Sequence, residues 1–286
     1  MISVISYKRP QTLAEALSLM RSGEFAPIAG GTDLVPQMRH SQPRQLMDIS
    51  RIGIDFINSE IDAVEIGAAA THTRLNSDNS IKEFLPLLSR ASGLVGSWQI
   101  RNRGTVGGNI VNASPCADTV PALLIYDAKV VLVSSKKKRM ISLAEFILKP
   151  YLTDIKPNEL LHSIICRKSD QPAGASYLKL GRRQAVNISR MTLAVSLVKD
   201  ENDIIKSAQI AVGSVFPVPS RVTELENMLV GQTITSALFN DAANLAADLM
   251  IRESGLRWST SYKKPVLIGL MGRALNEAAG IKGIRQ

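Results

Sequence analysis

Apolar residues recur at helical spacing near both ends of the chain. Leu13, Ala16, Leu17 and Met20 fall at i, i+3, i+4 and i+7, so 12–20 reads as an amphipathic helix, and Thr12-x-x-Glu15 has the form of a capping box. Leu267, Leu270, Met271 and Ala274 repeat that spacing within a helical stretch 262–279, preceded by helical stretches 223–229 and 236–251. A further helix at 81–92 carries Ile81, Leu85 and Leu88 on one face, with Pro86 imposing a kink or a late start. Short apolar runs at 25–29, 46–49, 63–67, 129–134 and 140–143 read as strands, with a helix at 121–126. Two longer strands, 189–199 and 204–213, flank a polar turn. Composition shifts at the Pro- and Gly-containing segment 170–174. The expectation is a mixed α/β part over 1–170, in lobes of about 1–56 and 57–170, and a smaller α+β part over 175–286.

Residues 93–120 break the rhythm. Gly93, Gly96, Gly104, Gly107 and Gly108 alternate with Asn, Ser and Pro, and the stretch reads as one long irregular loop. Such loops are uncommon unless they bind something. A second glycine cluster, Gly30-Gly31-Thr32-Asp33, sits where a strand gives way to a turn of helix that Thr32 or Asp33 caps. Adjacent glycines let backbone N–H groups converge and let a bulky anion approach. Thr105-Val106-Gly107-Gly108-Asn109 offers a similar set, and two such loops suit the two charges of a pyrophosphate. Each alone is equally well an ordinary turn. Neither matches G-x-G-x-x-G or G-x-x-x-x-G-K-[ST].

Charge and composition narrow the chemistry. The 286 residues carry a net +9, but the basic residues are dispersed, and the one dense run, Lys136 to Arg139, reads as a solvated hairpin tip. Aromatics are 5% and none interleaves with that run, so a base-stacking surface for nucleic acid is not indicated. The two cysteines, Cys116 and Cys166, form no C-x-x-C pair, and the chain alone cannot ligate an iron–sulfur cluster. His40, His72 and His162 have no metal-ligand spacing, and no G-x-S-x-G elbow accompanies a serine. No secretory signal and no apolar run of about 20 residues is evident, so a cytoplasmic setting is expected. Cys116 reads as a loop-packing residue, and Trp98 as core or, second, as a shield over a planar cofactor. With no catalytic base and no metal site in view, a cofactor is expected to do the chemistry.

Taken together, Ala29 to Leu34 and the run Gln99 to Ile110, followed by Ala113 to Asp118, resemble the FAD-binding medium subunit of molybdenum hydroxylases, the xanthine dehydrogenase and carbon monoxide dehydrogenase family. The resemblance extends through the helical opening at 12–20, Glu159-Leu-Leu161, Lys179 to Arg183 and Tyr262-Lys-Lys, nearly the whole chain. It implies a two-lobed FAD-binding domain of the vanillyl-alcohol oxidase/p-cresol methylhydroxylase type plus a C-terminal α+β domain. It further implies that Pro27, Ile28, Ala29, Gly30, Gly31, Thr32, Asp33 and Leu34 carry the pyrophosphate. Thr105, Val106, Gly107, Gly108 and Asn109 would supply phosphate and ribityl contacts, with Asp118 as a further polar contact. Val95 and Leu161 would pack on the flavin, and Lys179 would set a charge near its ring. No residue of this chain would be catalytic and none would bind metal.

In that family electrons pass from a molybdopterin centre on a large subunit through two [2Fe–2S] clusters on a small subunit to this FAD, then to NAD+ or another acceptor. The implied assembly is a dimer of heterotrimers, with xanthine or a related purine the first candidate substrate. Two positions depart from the pattern. Trp98 stands where a small residue or proline is common, and Asn187 where an acidic residue is frequent. The competing readings are a stand-alone FAD/NADPH enolpyruvyl-UDP-N-acetylglucosamine reductase, which also contains T-V-G-G, and a non-enzymatic basic anion-binding module.

Overall fold

In the computed structural model, residues 4–40, 42, 44–168, 173–183 and 188–281 are described; the segment 169–172 of the expected linker and Asn187 lie outside them. The first lobe contains β1 (Val4–Lys8), α1 (Leu13–Leu19), β2 (Phe25–Ile28), α2 (Leu34–Gln37) and β3 (Arg44–Asp48). Thr12 caps α1 as its spacing requires, Oγ1 accepting from Glu15 N at 3.2 Å, while the Glu15 carboxylate turns back to accept from Gln11 N at 2.7 Å. The strands are parallel in the order β1-β3-β2. Pro27, which has no N–H, is tolerated because β2 is an edge strand. Residues 29–33 therefore lie beyond the carboxyl ends of a parallel sheet, where open α/β sheets bind ligands.

The second lobe runs β4 (Ile57–Ser59), β5 (Ala63–Gly67), α3 (His72–Ser77), α4 (Asn79–Phe84), α5 (Pro86–Gly93), α6 (Trp98–Arg103), α7 (Val106–Asn112), α8 (Thr119–Ile125), β6 (Lys129–Val133), β7 (Lys138–Ser142), α9 (Leu143–Phe146), β8 (Ile147–Lys149), β9 (Leu152–Thr153) and β10 (Leu160–Arg167). Its antiparallel sheet has the order β4-β5-β10-β6-β7, with β10 in the centre. The C-terminal part is a meander of β11 (Gly174–Gly181), β12 (Ser189–Lys199), β13 (Ile205–Gly213) and β14 (Ser220–Arg221), followed by α10 (Thr223–Leu229), α11 (Ser236–Ser254) and α12 (Thr260–Ala278). The mixed α/β class is as expected. No described helix is long and apolar enough to cross a membrane.

Two apolar cores form. One joins both N-terminal lobes around Met47, Ile66, Leu88, Leu123 and Ile164; the other packs α11 and α12 on the C-terminal sheet around Leu193, Ile210, Phe239 and Met271. Tyr177, Ala194 and Ala211 belong to strands of that sheet yet sit in the first core, so its other face closes on the N-terminal part.

The structure corrects several expectations. Residues 93–120 are not an irregular loop: they hold α6, α7 and the start of α8. Each helix is seven residues or shorter, too brief for an apolar stripe to register, and α6 and α7 are started by side-chain caps instead. Ser97 Oγ accepts from Ile100 N at 3.3 Å and Thr105 Oγ1 from Gly108 N at 3.1 Å. The basic run is only partly a solvated tip. Lys138 and Arg139 already belong to β7, and Arg139 holds Glu159 through two bonds of 2.7 Å and Asp154 through another of 2.7 Å. Those bonds keep the Glu159 carboxyl below its usual range. Trp98 is not core: it is 64% exposed, with the Arg101 guanidinium over its ring.

Candidate functional site

The two glycine clusters meet. A Cβ built on Gly30 would stand 1.8 Å from the Arg103 carbonyl oxygen and 2.9 Å from Gly104 N, so no residue but glycine lets the first segment lie against the end of α6. A Cβ on Gly104 would in turn stand 3.4 Å from Thr32 Oγ1 and 3.2 Å from His72 Cδ2. Gln37 Nε2 donates to Asn112 Oδ1 at 3.2 Å, tying α2 to α7. Gly31 has φ +70°, the left-handed conformation that turns the chain out of β2 toward α2. Among the described residues, the N–H groups of Gly30, Gly31, Thr32 and Asp33 donate to no backbone carbonyl. Four consecutive donors are thus left for something else. Asp33 stays open to solvent, and desolvation by its neighbours raises its carboxyl.

The second cluster is a helical turn rather than a loop. Val106 N donates to Ala70 O at 3.0 Å and Gly107 N to Ala68 O at 2.9 Å, so those two N–H groups are committed to the strand end beside them. Val106 is fully buried, and a Cβ on Gly107 would come within 2.6 Å of Ala68. Both therefore serve packing. Gly108 differs: it is exposed, and a Cβ there would meet only Thr105 Oγ1, at 3.0 Å. Its bare backbone is open to a bound group. Asn109 Oδ1 accepts from Thr119 Oγ1 at 2.6 Å, which orients the side chain and leaves its NH2 to donate.

Next to Asn109 along this chain of contacts lies a buried ion pair. Lys179 Nζ donates to Asp118 Oδ2 at 2.7 Å and to the Leu94 carbonyl at 2.8 Å, and both side chains are enclosed. Ser189 Oγ donates to the other Asp118 oxygen, and Tyr177 OH to the Asp118 carbonyl at 2.7 Å. Burial raises the Asp118 carboxyl, and Lys179 and Ser189 oppose that pull. Strands β11 and β12 are thereby fastened to Leu94 and Asp118 of the second lobe. Val95 is buried beside this node, its carbonyl accepting from Arg101 Nη1 at 3.0 Å. Leu161 is enclosed in the first core opposite Leu132. The neighbouring His162 carbonyl accepts from Ala68 N at 2.9 Å, one step from Gly107.

Of the expected site residues, then, the 29–34 segment, Thr105 to Asn109, Asp118, Val95 and Lys179 come together around one junction. Leu161 joins through the core. Sequence reasoning missed Ser189, Tyr177 and His72. A lone serine, tyrosine or histidine carries no motif, and only the fold brings these three to the junction. A dinucleotide diphosphate fits what is there: unspent N–H groups on one side, a side-chain-free helical face on the other, and contact between the two that only Gly30 permits.

Comparison with known proteins agrees with that fit. The family model of the FAD binding domain in molybdopterin dehydrogenase matches residues 3–166, and that of the CO dehydrogenase flavoprotein C-terminal domain matches residues 176–278. The chain is 30% identical over 279 residues to the glyceraldehyde dehydrogenase medium chain of Sulfolobus acidocaldarius, covering 96% of this chain and 98% of that one. It is 28% identical to the xanthine dehydrogenase FAD-binding subunit of Escherichia coli O157:H7, with 99% of each covered. Among solved structures, the carbon monoxide dehydrogenase of Hydrogenophaga pseudoflava superposes with a TM-score of 0.91 at 28% identity, covering 99% of this chain and 100% of that chain.

Proposed function

Because the chain belongs to the family of FAD-binding subunits of molybdenum hydroxylases, carrying its FAD-binding domain at residues 3–166, we propose that it is the flavin subunit of a xanthine dehydrogenase-like enzyme that delivers electrons to NAD+. The observation that carries the reading is the close approach of Gly30 to Arg103, which makes one anion-binding junction out of two backbone segments. On this reading 29–33 hold the diphosphate with backbone N–H groups, and Pro27, Ile28 and Leu34 set the path of that segment. Thr105 fixes the turn that presents Gly108, and Asn109 donates from its NH2. Val106 and Gly107 act through packing. Val95 and Leu161 supply apolar surface toward the flavin, and Asp118 and Lys179 anchor the C-terminal sheet over it. The domain division is 1–170, in lobes 1–56 and 57–170, and 175–286.

The chemistry FAD supplies when bound is the exchange of electrons taken singly for electrons given in pairs. The iron–sulfur and molybdopterin centres are on separate small and large subunits, in a dimer of heterotrimers in the cytoplasm; a chain with two cysteines cannot ligate such clusters itself. End-to-end similarity to medium chains favours this reading over a stand-alone reductase. The test is anaerobic. Adding xanthine to the purified complex is expected to bleach its flavin absorption, and NAD+ to restore it. Bleaching by glyceraldehyde or carbon monoxide and not by xanthine would replace the substrate, and failure of NAD+ to reoxidise would replace the acceptor.

A further inference from the structure

His72 opens α3, and its ring has no use inside the protein. It is 2% exposed, and its Nδ1 is sealed from solvent with no hydrogen-bond partner among the described residues. Its backbone is fixed where the glycine clusters meet: His72 N donates to the Gly104 carbonyl at 3.1 Å, and Thr71 pairs with Thr105 in an isolated bridge. The ring edge bearing Cδ2 faces the Gly104 Cα, where an added Cβ would lie 3.2 Å from Cδ2 and 3.4 Å from Thr32 Oγ1. In an imidazole Nε2 is bonded to Cδ2, so Nε2 lies on the edge turned toward Gly104 and Thr32, while Nδ1 lies on the sealed side.

Burial, reinforced by the nearby Arg101 guanidinium, pushes the ring down to about 4, so it carries a single proton at neutral pH. A buried acceptor left unmet is tolerated better than a buried donor left unmet. The proton therefore sits on Nε2, on the ring edge that faces Gly104. We propose that His72, through Nε2–H, is a hydrogen-bond donor to the diphosphate of the bound dinucleotide. It is a positioning residue of the cofactor site, held at the start of α3, and it supplies a buried side-chain donor beside the two backbone segments. The inference rests on the flavin reading above.

Flavin fluorescence titration of the flavin-free full-length chain separates the two ideas. Wild-type chain that takes up no FAD refutes the flavin reading itself. If FAD binds, His72→Phe, which keeps the ring's bulk and loses the donor, is expected to weaken FAD about tenfold to a hundredfold, the worth of one hydrogen bond to a charged group. Binding of riboflavin, which has no phosphate, is expected to be unchanged. An unchanged FAD affinity, or equal weakening of both flavins, overturns the proposal. Should His72→Phe not fold, wild-type chain labelled with 15N in its histidine rings decides by nuclear magnetic resonance. The expected result is an Nε2–H tautomer whose Nε2 resonance moves with FAD and not with riboflavin; an Nδ1–H tautomer, or no movement, overturns it.

Discussion

Lys179 illustrates how much a side chain's meaning depends on what encloses it. The resemblance made it a charge near the flavin ring, and the structure gives it Asp118 and the Leu94 carbonyl as partners in a sealed space. Removing one member of a buried pair strands the other, which costs about 3–5 kcal/mol. Lys179→Met is accordingly expected to lower unfolding stability by about that amount in urea titrations. Adding Asp118→Asn to Lys179→Met is expected to recover much of the loss, since no buried charge then lacks a partner. Equal stability of wild type and Lys179→Met would mean that the pair contributes nothing. Neither residue's role was legible in sequence, because β11 and the chain around Asp118 are far apart along it and only the packing of the C-terminal sheet joins them.

At the scale of elements, the glycines divide by what a side chain would strike. Gly30→Ala drives a methyl into a carbonyl that belongs to backbone and cannot swing aside. It is expected to force the two lobes apart, lowering both the melting temperature and flavin binding. Gly108→Ala meets only Thr105 Oγ1, and alanine is favoured over glycine in a helix by up to about 1 kcal/mol. It is expected to keep or raise the melting temperature while weakening FAD, because the methyl occupies the face the phosphate needs. Calorimetry with and without flavin distinguishes these outcomes; loss of fold in Gly108→Ala would show that glycine there serves packing instead.

The elements themselves were unevenly legible. Amphipathic helices and alternating strands such as β5 and β12 declared themselves through period. The central strand β10 did not, since Leu160-Leu-His-Ser-Ile-Ile-Cys166 is enclosed in mid-sheet and shows no clean alternation. The turns of α6 and α7 were hidden by their shortness. The glycine clusters of the junction were visible in the residue types, yet the clash that makes Gly30 obligatory exists only between residues some seventy positions apart.

For the whole molecule, the arrangement is an FAD-binding part on which the C-terminal sheet closes, belonging to a family whose other centres lie on partner chains. The C-terminal sheet serves two cores at once, sending Tyr177, Ala194 and Ala211 into the first while building the second on its helices. If the proposed flavin site is right, neither half of the chain is expected to hold flavin alone. The most direct measurement is the flavin and metal content of the tagged chain, purified with whatever accompanies it and then again after dissociation from its partners. FAD, molybdenum and iron–sulfur clusters are expected together in the complex. After dissociation this chain keeps FAD alone, and acid releases all of it into solution, since neither glycine segment offers a covalent anchor. Iron or molybdenum remaining with the separated chain, or a complex without flavin, would contradict it.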